Sequence, residues 1–157
     1  MTLKAYFTIF ISFILGILLM ILPVAPWLTD LWPIWIIPII FYWLMALPHR
    51  VGLTAAFMSG LLLDILLNSL IGTHALALLV VSALFRKIAR RFSFFSMAEQ
   101  ILILLLFSGF YSIIISCVEF LNIKLFYFNI WSILTTGLIW PLIYLILRYY
   151  RRYFYLT

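Results

Sequence analysis

Residues 97–121 read MAEQILILLLFSGFYSIIISCVEFL, with acidic side chains only at Glu99 and Glu119, near the two ends. About 20 mostly apolar residues cross a bilayer as a helix, so this run reads as a membrane span. Working outward, five more runs of this kind appear. Ala5–Leu22, Trp32–Leu47, Val51–Leu67 and Gly72–Phe85 precede it, and Ile130–Leu147 follows. The second starts near Pro33 and is interrupted by Pro38. The fourth, at about 14 residues, covers only ~21 Å, so it requires a thinned bilayer or shielding by neighbours. The chain reads as an all-α integral membrane protein, residues 1–157 forming a single polytopic domain of six transmembrane helices.

Composition agrees. Of 157 residues, 68% are hydrophobic and 9% charged, against roughly 45–50% and about 25% in soluble domains. So few charges cannot cover a soluble surface, which excludes a soluble enzyme, a disordered tail and a secreted disulfide scaffold. The single cysteine, Cys117, has no partner for an internal disulfide, and no zinc-type spacing occurs. Ala5–Leu22 is long for the apolar region of a signal peptide, and no A-x-A cleavage site follows it. It is expected to stay as a span.

The basic residues orient the helices. With the N-terminus inside, Lys4, Arg50, Arg86, Lys87, Arg90, Arg91, Arg148, Arg151 and Arg152 fall on the cytoplasmic side and only Lys124 outside, as the positive-inside rule requires. Both termini are then cytoplasmic. The net charge of +6 reports orientation and membrane-surface anchoring, and no nucleic-acid partner is expected. Trp27, Trp32 and Trp35 mark the outer interface, and Tyr149, Tyr150, Tyr153 and Tyr155 the inner one. The longest loops, 23–31 and 86–96, are too short for a catalytic domain, and short connections make successive helices antiparallel neighbours.

Asp64 stands out. It lies in the outer half of the third span, where a carboxylate costs ~2.5–3.5 kcal/mol, so it must face protein, water or a partner. His74, Glu119, Asn68 and Thr73 fall at similar depth. The group reads either as a polar pocket opening outward or as interhelical hydrogen bonding, which contributes ~0.6 kcal/mol per pair. Asp30 and Glu99 read as solvated helix-end charges. Gly52, Ala56, Gly60 and Asp64 recur every four residues, a stripe that lets helix backbones approach closely. Ser108, Ser112, Ser116 and Glu119 form a similar face on the fifth span, and Thr135, Thr136 and Gly137 on the sixth, where Trp140-Pro141 should kink the helix. In the turn Pro48-His49-Arg50, proline ends a helix and arginine anchors the cytoplasmic side.

No catalytic motif is present: no H-E-x-x-H, G-x-S-x-G or phosphate-binding glycine loop. His49 and His74 fall on opposite sides of the membrane and cannot share a metal. Asp64 and Glu119 could pair as acids, but nothing marks a nucleophile. No cofactor is expected.

Tyr42-Trp43-Leu44-Met45-Ala46-Leu47-Pro48-His49-Arg50-Val51 resembles the signature turn of the rod shape-determining protein family MreD. Gly60-Leu61-Leu62-Leu63-Asp64 followed by Gly72-Thr73-His74-Ala75-Leu76-Ala77 resembles that family's next block. Val118-Glu119-Phe120-Leu121 and Gly137-Leu138-Ile139-Trp140-Pro141, with Arg148 beyond, resemble its later ones. The resemblance runs over nearly the whole chain in order and spacing. It implies a bacterial inner-membrane protein whose fold is similar to the S-component of energy-coupling-factor transporters. It also implies association with MreC, a single-span protein, and action with MreB, RodZ, RodA and its transpeptidase in lateral peptidoglycan synthesis.

Two functions are therefore carried forward. One is a non-enzymatic membrane scaffold of the rod complex, meeting an MreC-like helix through small-residue faces such as that of the third span. The alternative is a membrane solute- or lipid-binding subunit using an outward-facing polar pocket near Asp64.

Overall fold

Short-range chemistry explains where the helices begin. In the computed structural model, which describes residues 3–48, 51–122 and 128–153, six α-helices follow one another. They are α1 (Leu3–Ile21), α2 (Ile36–Ala46), α3 (Leu53–Leu66), α4 (Thr73–Phe92), α5 (Met97–Leu121) and α6 (Ile130–Tyr153). His49, Arg50, Lys124 and Tyr155 lie outside the described residues, as does the side chain of Lys4. At the start of α5, the Ser96 hydroxyl accepts from the Glu99 N–H (3.4 Å) while the Glu99 carboxylate accepts from the Ser96 N–H (2.7 Å). This capping box gives Glu99 a structural task beyond that of a solvated charge. Asn129 caps α6 by accepting from the N–H groups of Trp131 and Ser132.

Two boundaries differ from those read in the sequence. Pro38 does not interrupt a span: α2 starts at Ile36, so the proline falls in the first turn, where a missing N–H costs nothing. α4 does not stop at Phe85 but runs to Phe92. Its 20 residues reach about 30 Å, but the part beyond Phe85 is basic, and the short apolar part is largely buried against neighbouring helices, the shielding that its length requires. Arg86, Lys87, Arg90 and Arg91 are helical rather than loop residues, because nothing in that stretch breaks a helix. α6 likewise continues through Pro141 to Tyr153.

α2 is apolar on every side, and such a helix has to be enclosed. Every residue from Ile36 to Leu44 is buried, with α1, α4 and α6 packed around it. Phe41 stacks on Phe85 of α4 at 3.8 Å. The Trp43 indole N–H donates to the Ser12 hydroxyl of α1 at 2.7 Å, and Tyr42 meets Tyr144 of α6 edge-on. At 11 residues α2 is only about 16 Å long. Enclosed by protein, it has no need to match a ~30 Å hydrocarbon layer.

The segment before α2 is tied to its neighbours. The Trp32 indole donates to the Leu19 carbonyl of α1 (2.7 Å). The Ser132 hydroxyl of α6 donates to the Trp32 carbonyl, and the Ile34 N–H donates to the Thr136 hydroxyl. Asn129 donates to the Asp30 carbonyl. Trp32 is thus a latch between helices, whereas Trp27 stays largely exposed.

The distribution of polarity is inverted relative to a soluble bundle. Phe7, Leu106 and Leu138 are 65%, 67% and 74% exposed, while Asp64, Ser82, Gln100, Ser108 and Thr136 are buried. α5 and α6 are each long and apolar enough to cross a membrane.

Candidate functional site

The polar residues singled out in α3 and α4 meet where the first helix ends and the second begins. Asp64 is completely buried. Its Oδ1 accepts from the His74 N–H (2.8 Å) and the Ser69 hydroxyl (2.9 Å), and lies 3.0 Å from His74 Nδ1. Its Oδ2 accepts from the N–H groups of Gly72 (2.8 Å) and Ala75 (3.3 Å). A carboxylate only accepts, so Nδ1 carries the imidazole proton. Gly72 is the N-cap residue of α4, with φ of +106°. The first N–H groups of a helix have no partner within it, and here a carboxylate from the preceding helix supplies one. The positive end of the α4 dipole faces that charge.

Gly60 makes this possible. A Cβ there would lie 2.4 Å from the Ala75 Cα and 2.6 Å from its N. The first turn of α4 therefore rests directly on the α3 backbone at Gly60. One turn further along the same face, Asp64 arrives beneath the open N–H groups. The stripe is used inside the chain: Ala56, Gly60 and Asp64 are buried, and α3 packs against α4 more extensively than any other helix pair packs. This face is closed by α4 and is not left for a partner helix, which corrects the expectation for the third span. Gly52 is the N-cap of α3, outside the seam.

The outward-opening pocket near Asp64 is also corrected. The carboxylate is sealed, and both oxygens are occupied by the chain itself. Thr73 is buried beside it, but Asn68 is exposed in the turn, where its φ of +54° suits asparagine. Glu119 on α5 is half-buried and close enough to His74 to interact electrostatically. Sequence reading missed two contributors, Ser69 and Tyr111. The latter is a buried α5 residue whose ring meets His74 edge-on at 6.2 Å. Neither carried a signal, because each is matched by fold geometry rather than spacing.

The other end of α4 is secured in the same manner, also unforeseen. Buried Gln100 of α5 donates to the carbonyls of Phe92 (3.2 Å) and Phe95 (3.0 Å) and accepts from the Trp140 indole of α6 (3.0 Å). Trp140 thus anchors α6 to the α4–α5 corner, and Pro141 follows it inside the helix. Both termini of α4 are capped by side chains from neighbouring helices. Among the described residues, no three His, Cys, Asp or Glu side chains converge on a metal site.

Several concavities lie elsewhere among the described residues. An apolar groove of about 650 Å³ runs between α1 and α3, with Phe10, Ile14, Met58 and Leu62 in its walls. A smaller hollow of about 260 Å³ is lined by Pro48, Arg86, Lys87 and Arg90.

A family model described as rod shape-determining protein MreD matches residues 1–150. A protein from Haemophilus influenzae named rod shape-determining protein MreD is 32% identical over 152 residues, covering 94% of this chain and 92% of that protein. No solved structure matches the chain.

Proposed function

Because this chain belongs to the MreD family of rod shape-determining proteins, we propose that it is a non-enzymatic, multi-pass component of the bacterial inner membrane. In this reading it supports lateral peptidoglycan synthesis as part of the rod complex. The observation that carries the scaffold reading is the use made of the polar residues. Asp64, His74, Gln100 and Trp140 are all spent holding helices together, while the outer faces are apolar. The solute-binding alternative loses its main support once Asp64 is sealed.

Six spans with both termini cytoplasmic follow from the nine-to-one distribution of Lys and Arg. Reporter fusions after Leu28 and Lys124 are expected to read outside, and fusions after Phe94 and Thr157 inside. An outside signal at Phe94 would refute this topology.

The direct partner is an MreC-like single-span protein. MreB, RodZ, RodA and its transpeptidase belong to the same complex. With the stripe of α3 buried, the groove between α1 and α3 is the face offered to the partner's helix. Met58→Trp and Ile14→Trp, which fill it, are expected to reduce copurification of the partner at least tenfold at unchanged folded yield. Leu138→Trp, on the exposed face of α6, should leave it intact. Full recovery of the partner with the groove filled would move the contact elsewhere.

A further inference from the structure

We propose that the hollow formed by Pro48, Arg86, Lys87 and Arg90 binds the phosphate headgroup of an anionic phospholipid. The argument begins with charge. The chain has four acidic residues, and each has a place. Asp64 lies beneath the N-terminus of α4, and Asp30 is held by Asn129. Glu99 accepts from the Ser96 N–H and hydroxyl, and Glu119 lies within electrostatic range of His74. Among the described residues the sole contact between a carboxylate and a basic side chain joins Asp64 and His74, an ion pair only when the imidazole is protonated. Four exposed cations within residues 86–91 therefore have no carboxylate partner among the described residues.

Nor do these cations cap their own helix, the usual structural use of basic residues in a last turn. The carbonyl of Arg90 receives the Ser93 hydroxyl, that of Arg91 the Phe94 N–H, and that of Phe92 the Gln100 amide. The guanidinium groups stay available. Arg86 and Arg90 are four residues apart and Lys87 and Arg90 three apart, so all three project from one face. Pro48, two residues beyond α2, completes the lining of the hollow.

The surroundings favour a lipid over a free anion. Leu84, one turn back along α4, and Phe94, just beyond it, are both exposed, Phe94 to 90%. Exposed apolar surface thus continues at Leu84 on the membrane side of the basic residues, where an acyl chain below a phosphate runs. Basic pockets between helices on the cytoplasmic side hold such headgroups elsewhere.

The proposal rests on the membrane reading but not on the partner. The test is native mass spectrometry of the full chain released from micelles containing cardiolipin and phosphatidylcholine, with inorganic phosphate as a separate arm. Retained cardiolipin is expected on the native protein. Arg86→Gln with Arg90→Gln should weaken it about thirty-fold, at ~1 kcal/mol per basic residue. Arg86→Lys with Arg90→Lys should keep most of it, and Arg151→Gln with Arg152→Gln, outside the hollow, should change it less than threefold. Equal losses from the two neutralised pairs would mean diffuse attraction and overturn the site. So would undiminished cardiolipin, or inorganic phosphate competing it away at millimolar concentration. Phosphatidylcholine reports separately on the apolar surface: its absence together with cardiolipin's would count against the membrane reading itself.

Discussion

Asp64→Leu is expected to unfasten α4 from α3 and remove most of the folded protein. The leucine leaves the N–H groups of Gly72, His74 and Ala75, the Ser69 hydroxyl and the His74 imidazole N–H facing an apolar side chain. Each buried donor left without a partner costs about 1–3 kcal/mol, so losing several at once removes a large part of a stability of about 5–15 kcal/mol. Asp64→Asn keeps a hydrogen-bonding side chain of similar shape and should be tolerated better than leucine. The geometry makes it less innocent, because all five groups around the carboxylate are donors. An amide accepts through one oxygen only and turns its NH2 toward N–H groups. Asparagine should therefore cost roughly 2 kcal/mol, given about 1–3 kcal/mol for an unsatisfied buried group. The order Asp, Asn, Leu is checked by monodisperse yield and thermal midpoint in detergent, then by cell shape in a depletion strain. Rod-shaped cells with Asp64→Leu at normal protein level would show that this junction is dispensable.

The two residue types in this junction were legible in the sequence to different degrees. A carboxylate in a span demands a partner whatever the fold, and small residues every four positions demand a close neighbour, so Asp64 and Gly60 announce themselves. What they meet does not follow from spacing, because register between helices is a property of packing. The stripe alone therefore suggests a face for another protein, whereas the α3–α4 turn is short enough to fold α4 back onto it. Gln100 and Tyr111 gave no warning, since one amide or one phenol in an apolar helix has many structural uses. The end of α4 is hidden for a related reason: four cations suggest a loop in water, yet basic residues are good helix formers. The enclosure of α2 is not legible in the sequence, where residues 32–47 read as a span like the others; that only Ile36–Ala46 is helical and that it lies inside the bundle are outcomes of packing.

A glycine series tests the packing more sharply than any charge change. Gly60→Ala is expected to lower the thermal midpoint strongly and reduce the folded yield, although a single methyl is added. That methyl would sit 2.4 Å from the Ala75 Cα and 2.6 Å from its N, so α4 as a whole has to move. Overpacking typically costs about 1–3 kcal/mol. Here the displacement also draws the N–H groups away from Asp64, so the upper end of that range is expected. Gly109→Ala meets nothing nearer than the Ile133 side chain at 4.0 Å and should be neutral or stabilising by up to ~1 kcal/mol, as alanine favours the helix. Gly137→Ala falls between them, since its methyl meets only the Leu105 and Ile101 side chains, which can turn aside. Ala75→Gly should not rescue Gly60→Ala, because the obstruction is backbone rather than side chain. Combining Gly60→Ala with Asp64→Asn should cost less than the sum of the two, as both act on one junction. Full additivity, or rescue by Ala75→Gly, would show that the two helices are not held together at this point as the geometry requires.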